Sequence, residues 1–416
     1  MSDTVTSTEA VAAPEYPMER SGRCPFAPPP EVMELAAAAP LSRVRIWDGS
    51  RPWLITGYEE ARALFADSRV SVDDRKPGFP HWNEHMLATV DKRPRSVFTA
   101  DAEEHTFYRR MLSKPFTFKR VEALRPAIQK ITDDAIDKIL AGPKPAELVT
   151  ALALPVPTEV ICEMLGVPVA DRDRFTTWTA QATHALAGKM APPEVQQRAQ
   201  AAAMALGGYF TDLIEERRNS KTDDLLSEMI RAEEEGDRLT HSELVVQSIG
   251  LLIAGFETTI GLIGNGVAAL ARNPGEAQKL RARRELVPNA VEECLRYEGP
   301  IGMTLRVLHE DATFGGRTIP VDTEVWAMLW GANRDPEVFP DPDRFDVERA
   351  NARDHLAFGG GAHLCLGAHL ARMESQVAIG TLVARARDIE LADDRIEWGP
   401  SLFRVPARLP VTFRPV

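Results

Sequence analysis

A single cysteine stands in the most glycine-rich stretch of the chain, HLAFGGGAHLCLGAHLAR, which runs from His355 to Arg372. Gly359, Gly360 and Gly361 precede Cys365, and glycine lets a backbone turn tightly and approach a flat ligand closely. Leu366, Leu370, Met373 and Val377 then recur at helical spacing, which places Cys365 at a helix N-terminus. Unpaired N–H groups and the helix dipole at such a position favour an anion and predict a lowered thiol pKa. One thiolate cannot by itself hold a zinc ion or an iron–sulfur cluster, which take several protein ligands. It can supply the one axial ligand of a metal whose other positions a macrocycle fills. Gly367 would keep the helix start thin under such a ring, and His363 could bond an acidic group on its edge.

A second group lies in ELVVQSIGLLIAGFETTIGLIGNGVAALARN, from Glu243 to Asn273, which reads as one long buried helix. Glu257, Thr258 and Thr259 interrupt its apolar run just after Ala254 and Gly255. A buried carboxylate needs partners, and a threonine hydroxyl can bond back to the carbonyl four residues earlier and bend the helix. With no side chain at Gly255, these residues are expected to open a small polar notch. Two further pairs share a helix face: Glu293 with Arg296 in NAVEECLRYEGP, and His105 with Arg109 in HTFYRRMLSKPF. On a surface such a pair contributes only about 0.2–0.5 kcal/mol, so the spacing alone assigns no chemistry.

The run Phe358-Gly-x-Gly361-x-His363-x-Cys365-x-Gly367 resembles the haem-binding loop of the cytochrome P450 monooxygenases. In that family a cysteine thiolate ligates the haem iron and favours O–O cleavage. The resemblance implies haem b held by Cys365, with Phe358, Gly359 and Gly367 shaping its bed and His363 on a propionate. Ala254-Gly255-x-Glu257-Thr258 is similar to the family's oxygen-activation motif. It implies that Ala254 and Gly255 line the cofactor, that Thr258 holds oxygen and a water, and that Glu257 relays protons as a general acid. Family order further implies a structural triad of Glu293, Arg296 and Arg344, the last from FPDPDRFD, and propionate partners in His105, Arg109 and Arg306. Two departures stand out: DAEEH carries Glu103 where soluble bacterial members usually have proline, and Phe107 stands where arginine is common.

Matching features run from about Trp47 to the C-terminus. They imply a mainly α fold with a minor β portion, a single large triangular domain over residues 17–416 behind a disordered segment 1–16. The implied reaction inserts one oxygen atom from O2 into a bulky lipophilic molecule, macrolide, sterol-like, terpenoid or xenobiotic. The implied pocket draws on Trp82, Met86, Phe98, Leu251, Ala254, Ile301, Met303, Leu402 and Phe403, which are mostly apolar. No GxGxxG fingerprint follows a strand, so electrons are expected from a separate iron–sulfur ferredoxin and its NAD(P)H-dependent reductase. Arg109, Arg110, Lys114 and Arg372 are its expected contacts. Two alternatives stay open: a peroxide-driven enzyme of the same fold, which typically lacks the acid–threonine pair, and a haem sensor without turnover.

The elements that must position these residues follow from pattern. LSRVRIWDGSRPWLITG reads as a hairpin turning at Asp48-Gly49, and GYEEARALFAD as a helix. From Glu103 to about Asn273 helices dominate, with breaks expected at Pro155–Pro168 and Gly188–Pro193. After Arg306 short strands appear, with turns at Gly315-Gly316 and Pro320–Thr323, and the tail from Trp398 is strand and turn. The 416 residues are 44% hydrophobic and 26% charged, enough for a large core, and the net charge of −12 argues against nucleic acid. Four widely spaced cysteines fit neither a zinc site nor a disulfide framework and suit a reducing, cytoplasmic setting. No signal peptide and no uninterrupted apolar run of membrane-spanning length is read, and a monomer is the default.

Overall fold

The computed structural model describes residues 13–18, 28–81, 83–184, 192–220, 222–234, 239–393, 395–399 and 403–416. Helices carry most of it and four small sheets the rest, so the mainly α class holds. The main core joins the helices Phe118–Ala141, Pro155–Met164, Pro193–Asn219, His241–Arg272, Val287–Glu298 and Ala368–Arg385.

His241–Arg272 is the axis of this core. It starts from a capping box, in which Thr240 and Glu243 bond each other's backbone N–H. Every residue from Phe256 to Leu270 except Thr258 is buried. By length and mean hydropathy it is the one described helix able to cross a membrane, which a search for uninterrupted apolar runs does not detect. Its most apolar window is 61% buried inside the molecule, the pattern of a core helix.

The β-rich part is built on a five-stranded sheet in the order Leu41–Arg43, Trp53–Ile55, Glu324–Met328, Met303–Leu308, Val70–Ser71. The first two strands form the expected hairpin, with Gly49 at φ 86° in its turn. Alternation along Met303–Leu308 sends Met303, Leu305 and Val307 into the core, while Thr304 and Arg306 face the other way. Met303 therefore packs with Leu54, Trp326 and Met328 in the β-side core. Its expected place in the substrate pocket is corrected by this register.

Two other expectations change, and a third lies largely outside the described residues. Pro155–Met164 is a helix, because a proline in the first turn lacks only an N–H that would be unpaired anyway. The N-terminal segment is attached before residue 16: Tyr16 N–H donates to Arg45 O at 2.8 Å, Arg45 N–H to Pro14 O at 2.8 Å, and the Tyr16 ring meets Trp326 edge-on at 5.0 Å. Of the break expected at Gly188–Pro193, residues 188–191 lie outside the described residues, and the next helix begins at Pro193.

Candidate active site

Cys365 lies three residues before the helix Ala368–Arg385, in a loop fixed by backbone geometry. Gly359 and Gly361 take φ 68° and 62°, values that disfavour any residue with a Cβ. At Gly361 a Cβ would also fall 1.9 Å from the Phe65 carbonyl oxygen on the helix Tyr58–Ala66. The two glycines let the loop double back so that Cys365 N–H donates to Phe358 O at 3.0 Å. A Cβ on Gly367 would meet no protein atom within 4 Å, so nothing in the protein itself requires glycine there.

The thiol opens onto a cavity of about 590 Å³ lined by Arg109, Phe116, Phe118, Phe358, Leu364 and Arg372, among others. The other described cysteines, Cys162 and Cys294, are buried in the core. Burial pushes the Cys365 thiol up, while the Gly367 N–H and the guanidinium groups of Arg109 and Arg372 act in the opposite sense. The lowered thiol pKa expected from the helix N-terminus is thus not found for the thiol without a bound metal, where burial acts first. A coordinated metal would deprotonate such a thiol outright.

Two charged clusters brace the loop. Glu293 and Arg296 are fully buried, with Arg296 Nε donating to Glu293 Oε2 at 2.7 Å and Nη2 to Oε1 at 2.9 Å. The remaining Arg296 donors go to the carbonyls of Asn333, Pro342 and Arg344. The third member is Arg349, whose Nε reaches Glu293 Oε1 at 3.2 Å. Arg344, expected in that role, has a side chain 60% exposed beside Asp346 and contributes only its carbonyl, which Arg296 and Arg349 share. The second cluster went unread in the sequence. Buried Glu292 accepts from Arg372 Nε at 2.8 Å and from His355 Nε2 at 3.1 Å. Ala357 N–H donates to His355 Nδ1 at 3.1 Å, which leaves the Nε2 proton for Glu292. Arg372 also lies 4.6 Å from the centre of the Phe358 ring.

A third set surrounds the expected position of an acidic ring edge. His105 and Arg109 come from the helix Ala102–Leu112, Arg306 from the strand Met303–Leu308, and His363 from the cysteine loop. The His105 and His363 rings are 4.0 Å apart. Burial, then the charges of His363 and Arg109, lower His105 to about 4, so it is neutral at ordinary pH. Its Nε2 is buried and finds no hydrogen-bond partner among the described residues. Burial pushes Arg306 down to about 10, against the pull of Asp101. Arg306 spends one nitrogen, Nη1, on Thr304 Oγ1 at 2.6 Å and Leu305 O at 2.7 Å. The guanidinium of Arg109 has no acceptor among the described residues, and burial lowers it too. A half-buried arginine and a buried imidazole nitrogen without acceptors are costly unless a ligand answers them. Two carboxylates on the edge of a thiolate-bound ring answer them, so the residues present fit haem.

On the long helix Ala254 and Thr258 share a face and are half-buried, as are Ile253 and Gly255 beside Ala254. Thr258 Oγ1 donates to Ala254 O at 2.6 Å, the back-bond expected from the sequence. Glu257 is buried beside it. Gly255 serves another purpose than the expected notch: a Cβ there would stand 3.3 Å from Ile161 Cδ1 on Pro155–Met164, so its small size admits the neighbouring helix. Of the other expected pocket residues, Phe98 packs against Gly250 and is 45% exposed. Met86, Ile301 and Phe403 are half-buried, and Leu251 is buried in the main core. Trp82 and Leu402 lie outside the described residues.

Of the four expected partner contacts, Arg109 and Arg372 line the cavity at Cys365, together with Arg353, which sequence reading missed. Arg110 and Lys114 are exposed and do not line it. Phe107 is half-buried and packs against the main core.

Comparison with known proteins agrees with this geometry. The family model described as Cytochrome P450 matches residues 42–387. The chain is 51% identical over 414 residues to Cytochrome P450 CYP105Q4 of Mycobacterium marinum, covering 96% of this chain and 98% of that one. It superposes on the crystal structure of GfsF, a Streptomyces halstedii cytochrome P450, with TM-score 0.87 at 43% identity, over 96% of this chain and 100% of that one. The mycinamicin VIII C21 methyl hydroxylase MycCI from Micromonospora griseorubida, bound to mycinamicin VIII, matches with TM-score 0.85 at 34% identity over 96% and 100%.

Proposed function

This chain belongs to the cytochrome P450 family of haem-thiolate monooxygenases, and from that premise we propose which of its residues perform the reaction and on what class of substrate. The reading is insertion of one oxygen atom from O2 into a bulky lipophilic molecule, a macrolide or similar secondary metabolite. The mycinamicin hydroxylase among its structural relatives supports that class. Bound haem supplies the redox chemistry that activates dioxygen. Cys365 would supply the thiolate that holds the haem iron, while Phe358 and the glycine-shaped loop fix the cysteine backbone. His105 Nε2–H, Arg109, the free donors of Arg306 and His363 bind the two haem carboxylates. This assignment is supported by buried His105 Nε2, which lacks an acceptor among the described residues, and by Arg306, whose hydrogen bonds use Nη1 alone.

Thr258 presents a hydroxyl on the half-open face of the long helix, tethered to Ala254 O. Turned away from Ala254 O, that hydroxyl would be a proton donor on the open face of the helix, and Glu257 beside it would replenish the proton. Ala254, the half-buried Met86, Ile301 and Phe403, and the exposed Phe98 form the apolar wall that orients substrate and excludes water. Glu293, Arg296 and Arg349 touch neither substrate nor cofactor and brace the loop. A ferredoxin with its reductase supplies electrons at the cavity beside Cys365, meeting Arg109, Arg353 and the exposed Arg110 and Lys114. We read the whole described chain as one unit, monomeric and cytoplasmic.

The observation that carries this reading is Cys365, opening on a cavity that it shares with Arg109, a guanidinium without an acceptor among the described residues. Its test is the ferrous–CO spectrum of the holoprotein with Cys365→Ser as control. The thiolate-type band should be present in the native chain and absent in the variant; a band that survives in Cys365→Ser refutes the ligand. Titrating ferric protein with lipophilic compounds should then give a saturable low- to high-spin shift for one chemical class. Turnover with peroxide but none with ferredoxin, reductase and NAD(P)H would favour the peroxygenase reading instead.

A further inference from the structure

Asp101 stands at the N-cap of the helix Ala102–Leu112, where an aspartate ordinarily turns its carboxylate onto the free N–H groups of its own helix. It makes no such cap. The next residue, Ala102, takes φ 49°, a left-handed value unfavourable for a residue with a Cβ. The carboxylate points elsewhere. It accepts from the Ser71 hydroxyl and from Val72 N–H at 3.2 Å, and His363 Nε2 lies 3.8 Å from its Oδ1. Ser71 belongs to the edge strand Val70–Ser71, where it sits opposite Val307 on the strand that carries Arg306.

One carboxylate therefore touches or abuts every element that supplies a haem-carboxylate partner. It begins the helix of His105 and Arg109, bonds the strand next to that of Arg306, and faces His363 on the cysteine loop. Burial alone would raise its pKa, but His363, Ser71 and the Val72 N–H hold it well below the usual carboxylate range. It is thus a negative charge beside the half-buried His363, and its field opposes the desolvation of Arg306. It forms an ion pair with neither Arg109 nor Arg306 among the described residues, so their donors stay available for a ligand.

We propose that Asp101 is a positioning residue for haem: it locks the helix, the strand and the cysteine loop in mutual register and balances the cations that grip the haem carboxylates. The inference rests on the assignment of those carboxylates to His105, Arg109, Arg306 and His363. Stretched backbone at Ala102 is the local consequence, since the chain gives up a helix cap to bring the carboxylate to this junction.

The experiment uses the full-length holoprotein and measures haem transfer to excess apomyoglobin, the ferric/ferrous midpoint potential, and thermal melting as a check of fold. Asp101→Asn should release haem about tenfold faster, the scale seen when a partner behind a metal site is removed. Its potential should rise, because loss of a nearby negative charge favours the less positive ferrous state. Asp101→Glu, which keeps the charge, should return the potential toward the native value, an effect that loss of packing alone would not produce. Native release and potential in Asp101→Asn, with fast release from Arg109→Ala and Arg306→Ala, would overturn the role of Asp101 and leave the carboxylate assignment standing. Native release from all three variants would overturn that assignment and this inference with it. If Asp101→Asn does not fold, Ser71→Ala removes one hydrogen bond to the same carboxylate. It should speed release about two- to tenfold, and an unchanged rate would count against the proposal.

Discussion

Two charged clusters, one wholly buried and one mostly half-buried, draw on overlapping residue types. In the brace, Glu293 and Arg296 are wholly buried and every guanidinium donor of Arg296 has an acceptor. In the cation set, Arg109 lacks any acceptor among the described residues, Arg306 uses one nitrogen, and His105 Nε2 uses none. The first cluster is closed to further chemistry, whereas the second is complete only with a ligand. Charge, burial and residue type do not separate structure from function here; the count of unused donors does.

The comparison breaks most visibly if the brace can be cut cheaply. Glu293→Ala leaves two buried guanidinium groups uncompensated and should cost about 3–5 kcal/mol, read by urea unfolding of the holoprotein. A loss below about 1 kcal/mol would show that the brace is not closed. A third buried ionisable group sharpens the contrast. Glu374 on Ala368–Arg385 is buried, and burial raises it to about 8 against a hydrogen bond from Thr259. Its folded pKa lies above its unfolded one. Its contribution to stability is therefore complete below about pH 4.5 and is lost as pH rises toward about 8. Glu374→Gln should gain on the native chain by about 3 kcal/mol between pH 5 and pH 8, in paired melting curves. Parallel curves at both pH values would count against a neutral Glu374.

In the open cluster the signs should reverse. Arg306→Met removes a poorly compensated charge and should change the stability of the haem-free chain by less than about 1 kcal/mol, while haem release speeds up. A large loss in the haem-free chain would place Arg306 with the brace. The smallest effect separates two neighbours: Arg344→Ala should stay within about 0.5 kcal/mol in unfolding, whereas Arg349→Ala should lose several times that.

Arg344 and Arg349 also show where sequence reading stops. The order of motifs pointed to the loop but not to the residue, because in irregular chain the backbone turns decide which side chain faces inward. Asp341, at φ 49°, is one such turn. Met303 was misplaced for a related reason: the inward face of its strand depends on register against Glu324–Met328. Cys365, Thr258 and the long helix were legible, since glycine spacing and an interrupted apolar run are local signals. The raised thiol of Cys365 and the Glu292–His355–Arg372 cluster were not, since both arise from burial between segments far apart in the chain. Asp101 was hidden by its position, where an aspartate reads as an ordinary cap.

Gly361 backs directly onto the carbonyl of Phe65, and the Phe65 ring lies 5.5 Å from the Arg306 guanidinium. The helix Tyr58–Ala66 is thereby a silent listener to the ligand loop. An isotope label at the Phe65 carbonyl would report movement of that loop through its vibrational frequency, from a residue that never meets substrate.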